Sequence, residues 1–212
     1  MRTTFITTTA VLATIAIVLG VLPFSFPFPI VPYLRFDLGE IPVFMAFYAL
    51  GPLASFIAAT AYFLVLLVFG SFTPIGPLMK YAALLSTLAG AWVGAMLARN
   101  RGMVTFMALG GVVGGVLRIA VMTVVNYIVI VILFPEFLGF AIASVQATTS
   151  LAIPTQLTGL ILVLIFTAIY NALHTILSLV PAAYIIEAVS RRVELMPTDR
   201  SWMRTIVRTM RK

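Results

Sequence analysis

The stretch at residues 41–69 contains 29 consecutive residues without a charge. A soluble domain, about a quarter charged, does not hold such a run. As one helix it would be ~43 Å long, against a bilayer core of about 30 Å. Gly51-Pro52 sits in its middle, where a helix breaks or kinks. The run therefore reads as a short helix 41–50 followed by a helix 52–69. Further apolar runs at 3–22, 75–98, 102–133 and 158–190 give six helices in all. Their continuity points to helices, because a membrane barrel would alternate apolar and polar residues. The chain is 62% hydrophobic and 9% charged, with mean hydropathy +1.17. The fold expected is all-α: a polytopic membrane protein of six transmembrane helices with a short second helix, in the cell membrane.

Charge placement supports six helices over five. With six, one side holds Arg2, the Arg99-Asn100-Arg101 turn and the basic C-terminal tail. The other side holds the segments 23–40, 70–77 and 134–157, read as loops, which together carry Arg35, Asp37, Glu40 and Glu136. Positive residues collect on the cytoplasmic side, so both termini are expected there and the acidic segments outside. The run at 3–22 follows Arg2 as in a signal peptide. Pro23, Phe24 and Phe26 follow it in place of a small-residue cleavage site, so it reads as a retained first helix. In segment 23–40, Asp37 and Glu40 precede the second helix, where carboxylates favour the helix dipole and Pro42 suits the first turn. Arg35 is placed to pair with either acid. Phe24, Phe26, Phe28, Tyr33 and Phe36 are either lid residues or part of an interfacial aromatic belt.

Residues 191–212 read as a basic amphipathic cytoplasmic tail. Trp202, Met203, Ile206, Val207 and Met210 share one helical face, and Arg200, Arg204, Arg208 and Arg211 the other. Such a helix lies on an anionic inner leaflet, the alternative being an unstructured basic anchor. The net charge of +7 is thus explained by membrane lipid rather than nucleic acid.

Polar residues are rare within the helices. Thr167, Asn171, His174 and Ser178 fall at i, i+4, i+7 and i+11, a single stripe that must face other helices or a cavity. The stripe is either a set of ligand contacts, suited to a neutral heterocycle because Asn and His both donate and accept, or interhelical glue. Asn126 lies near the outer end of the fifth helix. Arg118 lies deeper, where an arginine is either functional or paired with a carbonyl or carboxylate. Lys80, one turn inside the fourth helix, is expected to snorkel to the interface, with an anionic ligand group as the alternative. Small residues form close-packing faces: Ser86, Gly90, Gly94 and Ala98 on the fourth helix, Gly110 with Gly114 and Gly111 with Gly115 on the fifth, and Thr9, Ala13, Ala16 and Gly20 on the first.

No catalytic set appears. The chain has no cysteine and one histidine, which excludes disulfides, thiol nucleophiles and multi-histidine metal sites. No phosphate-binding glycine loop is present. The expectation is a protein that is not an enzyme and holds neither metal nor cofactor.

Four segments carry a family resemblance: P-Y-L-R-F-D-L-G-E-I-P at 32–42, A-L-G-P-L-A at 49–54, V-M-T-V-V-N-Y at 121–127 leading to L-F-P at 133–135, and Y-N-A-L-H at 170–174. In order and spacing they resemble the S components of energy-coupling-factor (ECF) vitamin transporters, the riboflavin-binding branch most closely, over about residues 5 to 190. The resemblance implies a membrane subunit that captures riboflavin as a transported ligand. It also implies assembly with a transmembrane coupling subunit and two cytoplasmic ATPase subunits. Flavin contacts in that branch come from a helix-5 Asn and a helix-6 Asn-x-x-Lys, matching Asn126 and Asn171; His174 stands in the Lys position. Phe36 and Asp37 border the expected cavity mouth, and Lys80, Arg118, Thr167 and Ser178 complete the candidate ligand set. The first-helix face of Thr9, Ala13, Ala16 and Gly20 becomes the expected docking surface for the coupling subunit. Another vitamin, such as folate or pantothenate, is the alternative ligand, favoured if Lys80 and Arg118 both face the cavity to meet carboxylates. An intramembrane enzyme and a purely structural subunit are the rivals outside transport.

Overall fold

The computed structural model describes residues 2–22, 24–99 and 101–192, together with Trp202, Met203 and Ile206. Helix α1 (Arg2–Val21) leads into an antiparallel hairpin of β1 (Ser25–Pro27) and β2 (Arg35–Asp37), with Phe26 opposite Phe36. Then come α2 (Glu40–Leu50), α3 (Pro52–Phe69), α4 (Ile75–Leu97), α5 (Met103–Tyr127), α6 (Pro135–Thr149) and α7 (Gln156–Arg192). Five of these are long and apolar enough to cross a membrane, and α2 is a shorter apolar helix.

The break between α2 and α3 falls where the sequence puts it. Gly51 has φ 101°, a conformation open to glycine at little cost, and Pro52 starts α3. Helix α5 does not run unbroken to residue 133: its last turns, Ile128–Leu133, are a π-helix. Segment 134–157, read as a loop, contains α6. Its two bordering prolines look like loop punctuation, but Pro135 occupies the first turn of α6, where a missing N–H costs nothing. The helix ends at Ser150 in the left-handed conformation. At 15 residues, or ~22 Å, α6 is too short to span. It buries Ala141 and Val145 against Val163 of α7 and against Phe28, Val31 and Phe36 of the hairpin segment.

The small residues of α4 and α5 set the tightest helix contact. A Cβ on Gly90 would lie 2.6 Å from the Val113 carbonyl oxygen and 2.7 Å from Gly114 Cα. A Cβ on Gly114 would lie 3.0 Å from the Thr87 carbonyl oxygen. Gly111, one residue round the same helix, has nothing within 4 Å of such a Cβ. Gly110 and Gly114 thus face α4, whereas of the second pair only Gly115 meets a neighbour, Thr175 of α7, at an ordinary 3.6 Å.

The C-terminal tail falls mostly outside the described residues, including Arg200, Arg204, Val207, Arg208, Met210 and Arg211. Its three described residues are helical and pack on the bundle. The Trp202 ring lies 4.8 Å from that of Phe47 and 6.0 Å from that of Phe106, and Met203 is fully buried.

Candidate functional site

The two carboxylates of segment 28–42 lie inside the protein, not on an outer loop as expected, while Arg35 stays exposed. Asp37 is 7% exposed and Glu40 is fully buried. Helix α2, with 11 residues, is only ~16 Å long, so its start at Glu40 lies at depth in the bundle. The segment between β2 and α2 dips in to reach it. Buried carboxylates are tolerated only when paired, and both are.

Glu40 meets Arg118 of α5 in a fork, with Nη1 donating to Oε2 (2.7 Å) and Nη2 to Oε1 (3.1 Å). The other guanidinium hydrogens are also used. Nε donates to Asn171 Oδ1 (2.9 Å), Nη2 to His174 Nδ1 (3.1 Å) and Nη1 to Thr87 Oγ1 (3.5 Å). Ser178 Oγ donates to Glu40 Oε2 (3.0 Å) or back to the His174 carbonyl (2.8 Å). One arginine thus ties together α2, α4, α5 and α7. The planar fork with its five donors is what lets a single cation do this.

Asp37 forms a second centre beside the first. It pairs with Lys80 of α4, accepts from Tyr62 of α3 (3.2 Å) and takes the Gly39 backbone N–H (2.9 Å). Lys80 also lies 5.1 Å from the centre of the Tyr62 ring. It is therefore paired inward instead of snorkelling. Arg35 bonds across the hairpin to Ser25, not to an acid. On the other side β2 rests on α7. Tyr170 donates to the Arg35 carbonyl (2.7 Å), and the Phe36 ring lies 4.8 Å from Tyr170 and 5.5 Å from His174. The hairpin is thus stapled over the polar seam by α3 and α4 on one flank and by α7 on the other.

Of the sequence candidates, Arg118, Asn171, His174 and Ser178 meet directly, and Lys80, Asp37 and Phe36 join through the hairpin. Thr167 and Asn126 bond to carbonyls of their own helices, Val163 (2.8 Å) and Met122 (2.7 Å). Both are buried, but neither joins the Arg118 network. Glu40, Thr87, Tyr62 and Tyr170 are site members that sequence reasoning did not single out. Glu40 had a usable signal: a buried arginine needs a carboxylate, and the chain has only six acids. Asp37, Glu40 and His174 bring possible metal-ligand atoms within 4.8 Å of one another. Lys80 and Arg118 already neutralise the carboxylates, so the cluster is an ion-pair network. Phe28 is buried against Tyr170, whereas Phe24 and Phe26 are about half exposed. Tyr33 packs on Phe137 and Phe140, and its buried hydroxyl has no hydrogen-bond partner. Burial pushes that phenol up to about 12, which keeps it neutral.

No family model matches the chain. Over 134 residues it is 28% identical to the riboflavin transporter RibU of Staphylococcus aureus (strain TCH60), which covers 63% of this chain and 69% of that protein. The solved S component of a bacterial ECF transporter superposes with a TM-score of 0.64 at 21% identity, over 91% of this chain and 96% of that one. This chain has the fold of an ECF S component. It is a multi-pass membrane protein, and its relatives are transport components, not enzymes.

Against this S-component fold, the small face of α1 is not an open surface. Thr9, Ala13 and Ala16 are buried, and Gly20 lies under the Tyr62 ring of α3. They form the seam of α1 with its neighbours. The opposite flank, with Thr3, Thr7, Ala10 and Thr14, is exposed.

Proposed function

We propose that this protein is the riboflavin-capturing S component of an ECF importer. The observation that carries the reading is the S-component fold in a chain with a riboflavin transporter as its sequence relative. The chemistry of the seam agrees. Isoalloxazine is flat and largely apolar with a polar rim, which suits aromatic walls and a few fixed hydrogen-bonding groups. The hairpin supplies Phe28 and Phe36, and α7 supplies Tyr170, Asn171 and His174. Asn126, on α5 just before the π-helical turns, lies two turns beyond Arg118 and would add a further amide to the site. Delivery would proceed through a transmembrane coupling subunit and two cytoplasmic ATPase subunits. The exposed flank of α1 is the surface left for docking.

The alternative of a carboxylate vitamin loses its main support. Lys80 is bound to Asp37 and Arg118 to Glu40, so neither of the two cations that suggested it is free to meet an anionic ligand. The cluster of Asp37, Glu40, Lys80 and Arg118 sums to zero charge, which favours a neutral ligand.

Titration of the detergent-solubilised protein with riboflavin should quench flavin fluorescence to saturation. Folate and pantothenate in tenfold excess over riboflavin should leave the curve unchanged. Full displacement by either vitamin would move the ligand assignment to it. Asn171→Ala should weaken binding about tenfold, the loss of one good hydrogen bond, while the variant still elutes as a folded species. Unchanged affinity would leave Asn171 as interhelical glue only.

A further inference from the structure

The geometry around Arg118 fixes more than the helix packing. We propose that Arg118, itself held by Glu40, is a positioning residue that makes the α7 seam present hydrogen-bond donors only, so that the site selects a ligand by its carbonyl and ring-nitrogen acceptors. This rests on reading the seam as the vitamin site, and the test below separates the two.

A guanidinium donates and never accepts. The Asn171 atom facing Arg118 Nε is therefore its oxygen, whose acceptor role is taken up inside the protein. The amide nitrogen gives one hydrogen to the Thr167 carbonyl at 2.9 Å and keeps a second. By the same rule the His174 nitrogen facing Arg118 Nη2 carries no proton. The ring proton sits on Nε2, which lies 3.3 Å from the Asp37 carbonyl oxygen. Tyr170 has one proton, which goes to the Arg35 carbonyl at 2.7 Å or to the unprotonated His174 Nδ1 at 3.1 Å; in either case the hydroxyl donates. The α7 groups that meet the hairpin, Tyr170 and His174, are thus donors towards it, and the spare Asn171 hydrogen is a donor too.

The hairpin answers with acceptors. The carbonyls of Arg35 and Asp37, both on β2, cap the Tyr170 hydroxyl and His174 Nε2–H. Strand β2 stands where a ligand's acceptor edge would stand. A flavin offers two ring carbonyls and the unprotonated N1 and N5 along one edge, with a single donor, N3–H, between the carbonyls. Its acceptors can replace the strand's carbonyls without reorienting any side chain of α7, and N3–H is left to a backbone carbonyl. Loosening the Glu40–Arg118 fork would let the Asn171 amide turn over and His174 take either tautomer. Donors and acceptors would then be mixed on the same wall, and an acceptor-edged ligand would meet unpaired lone pairs.

His174 is the only histidine in the chain, so its tautomer is readable without assignment. Ligand-free protein labelled with 15N-histidine should show, at neutral pH in two-bond 15N–1H correlation spectra, a neutral ring protonated on Nε2. A ring protonated on Nδ1, or on both nitrogens, would overturn the proposal. Arg118→Lys keeps a cation against Glu40 but cannot make the fork. It should give mixed tautomers and raise the riboflavin Kd about tenfold or more. Wild-type tautomer and affinity in that variant would also overturn it. If the variant fails to fold, the wild-type spectrum alone decides. If riboflavin does not bind the wild type, the flavin reading falls while the ligand-free spectra still judge the role of Arg118.

Discussion

The bundle is held by two kinds of contact. Between α4 and α5, glycines let two backbones meet, and the long Arg118–Thr87 contact (3.5 Å) adds little to that packing. At the hairpin end, one arginine and one lysine bind two carboxylates and pull four helices and a strand together. In lipid, close packing of small residues needs no compensation, because the tails around it are as apolar as the side chains. The charged seam is different in kind, since each of its members is a liability without its partners. The first contact sets a distance. The second fixes the hydrogen-bond partners of Asn171 and His174.

This difference predicts a ranking of damage. Arg118→Ala leaves Glu40 buried and uncompensated and should cost about 3–5 kcal/mol, seen as a large fall in thermal unfolding temperature in detergent. The double change Glu40→Met with Arg118→Met should recover most of that stability, as apolar replacement of a buried pair commonly does, without recovering riboflavin binding. Next comes Gly90→Leu. Its Cβ would meet the backbone of α5 at 2.6 Å, so α4 and α5 must part, at about 1–3 kcal/mol. Riboflavin affinity should fall less than in Arg118→Ala. If Gly90→Leu proves as harmful to binding as Arg118→Ala, the division between packing and function fails. Lys80→Met removes one of several partners of Asp37 at a partly accessible position. It should cost about 1 kcal/mol and show mainly as faster proteolysis of the hairpin. Gly111→Ala meets open space and, by helix propensity, should leave stability unchanged or raise it by up to about 1 kcal/mol. Measurable destabilisation there would mean that the open side of α5 is in contact with something.

The two contacts were also unequally legible in sequence. The helices and the break at Gly51-Pro52 follow from apolar length and two residues whose backbone chemistry admits little else. The α4–α5 contact follows from four-residue spacing, although spacing cannot tell Gly110 and Gly114, which pack, from Gly111, which faces open space. The stripe on α7 was visible because its four polar residues lie on one helix. Its partners were not, since Glu40 lies 78 residues from Arg118 and no periodicity links residues that far apart. The burial of Asp37 and Glu40 was not legible, because their charges read as a sign of water when pairing makes them compatible with burial. Helix α6 was missed because a proline starts helices as readily as it ends them. The docking face on α1 was assigned from small residues alone, and small residues serve an internal seam equally well.

The central claim is that this S-component fold holds riboflavin. Its most direct test is the visible absorption spectrum of the protein purified in mild detergent from a flavin-replete host. The account predicts a yellow preparation whose bound flavin, released on denaturation, is riboflavin at about one per chain. A colourless preparation that also fails to quench the fluorescence of added riboflavin would contradict it.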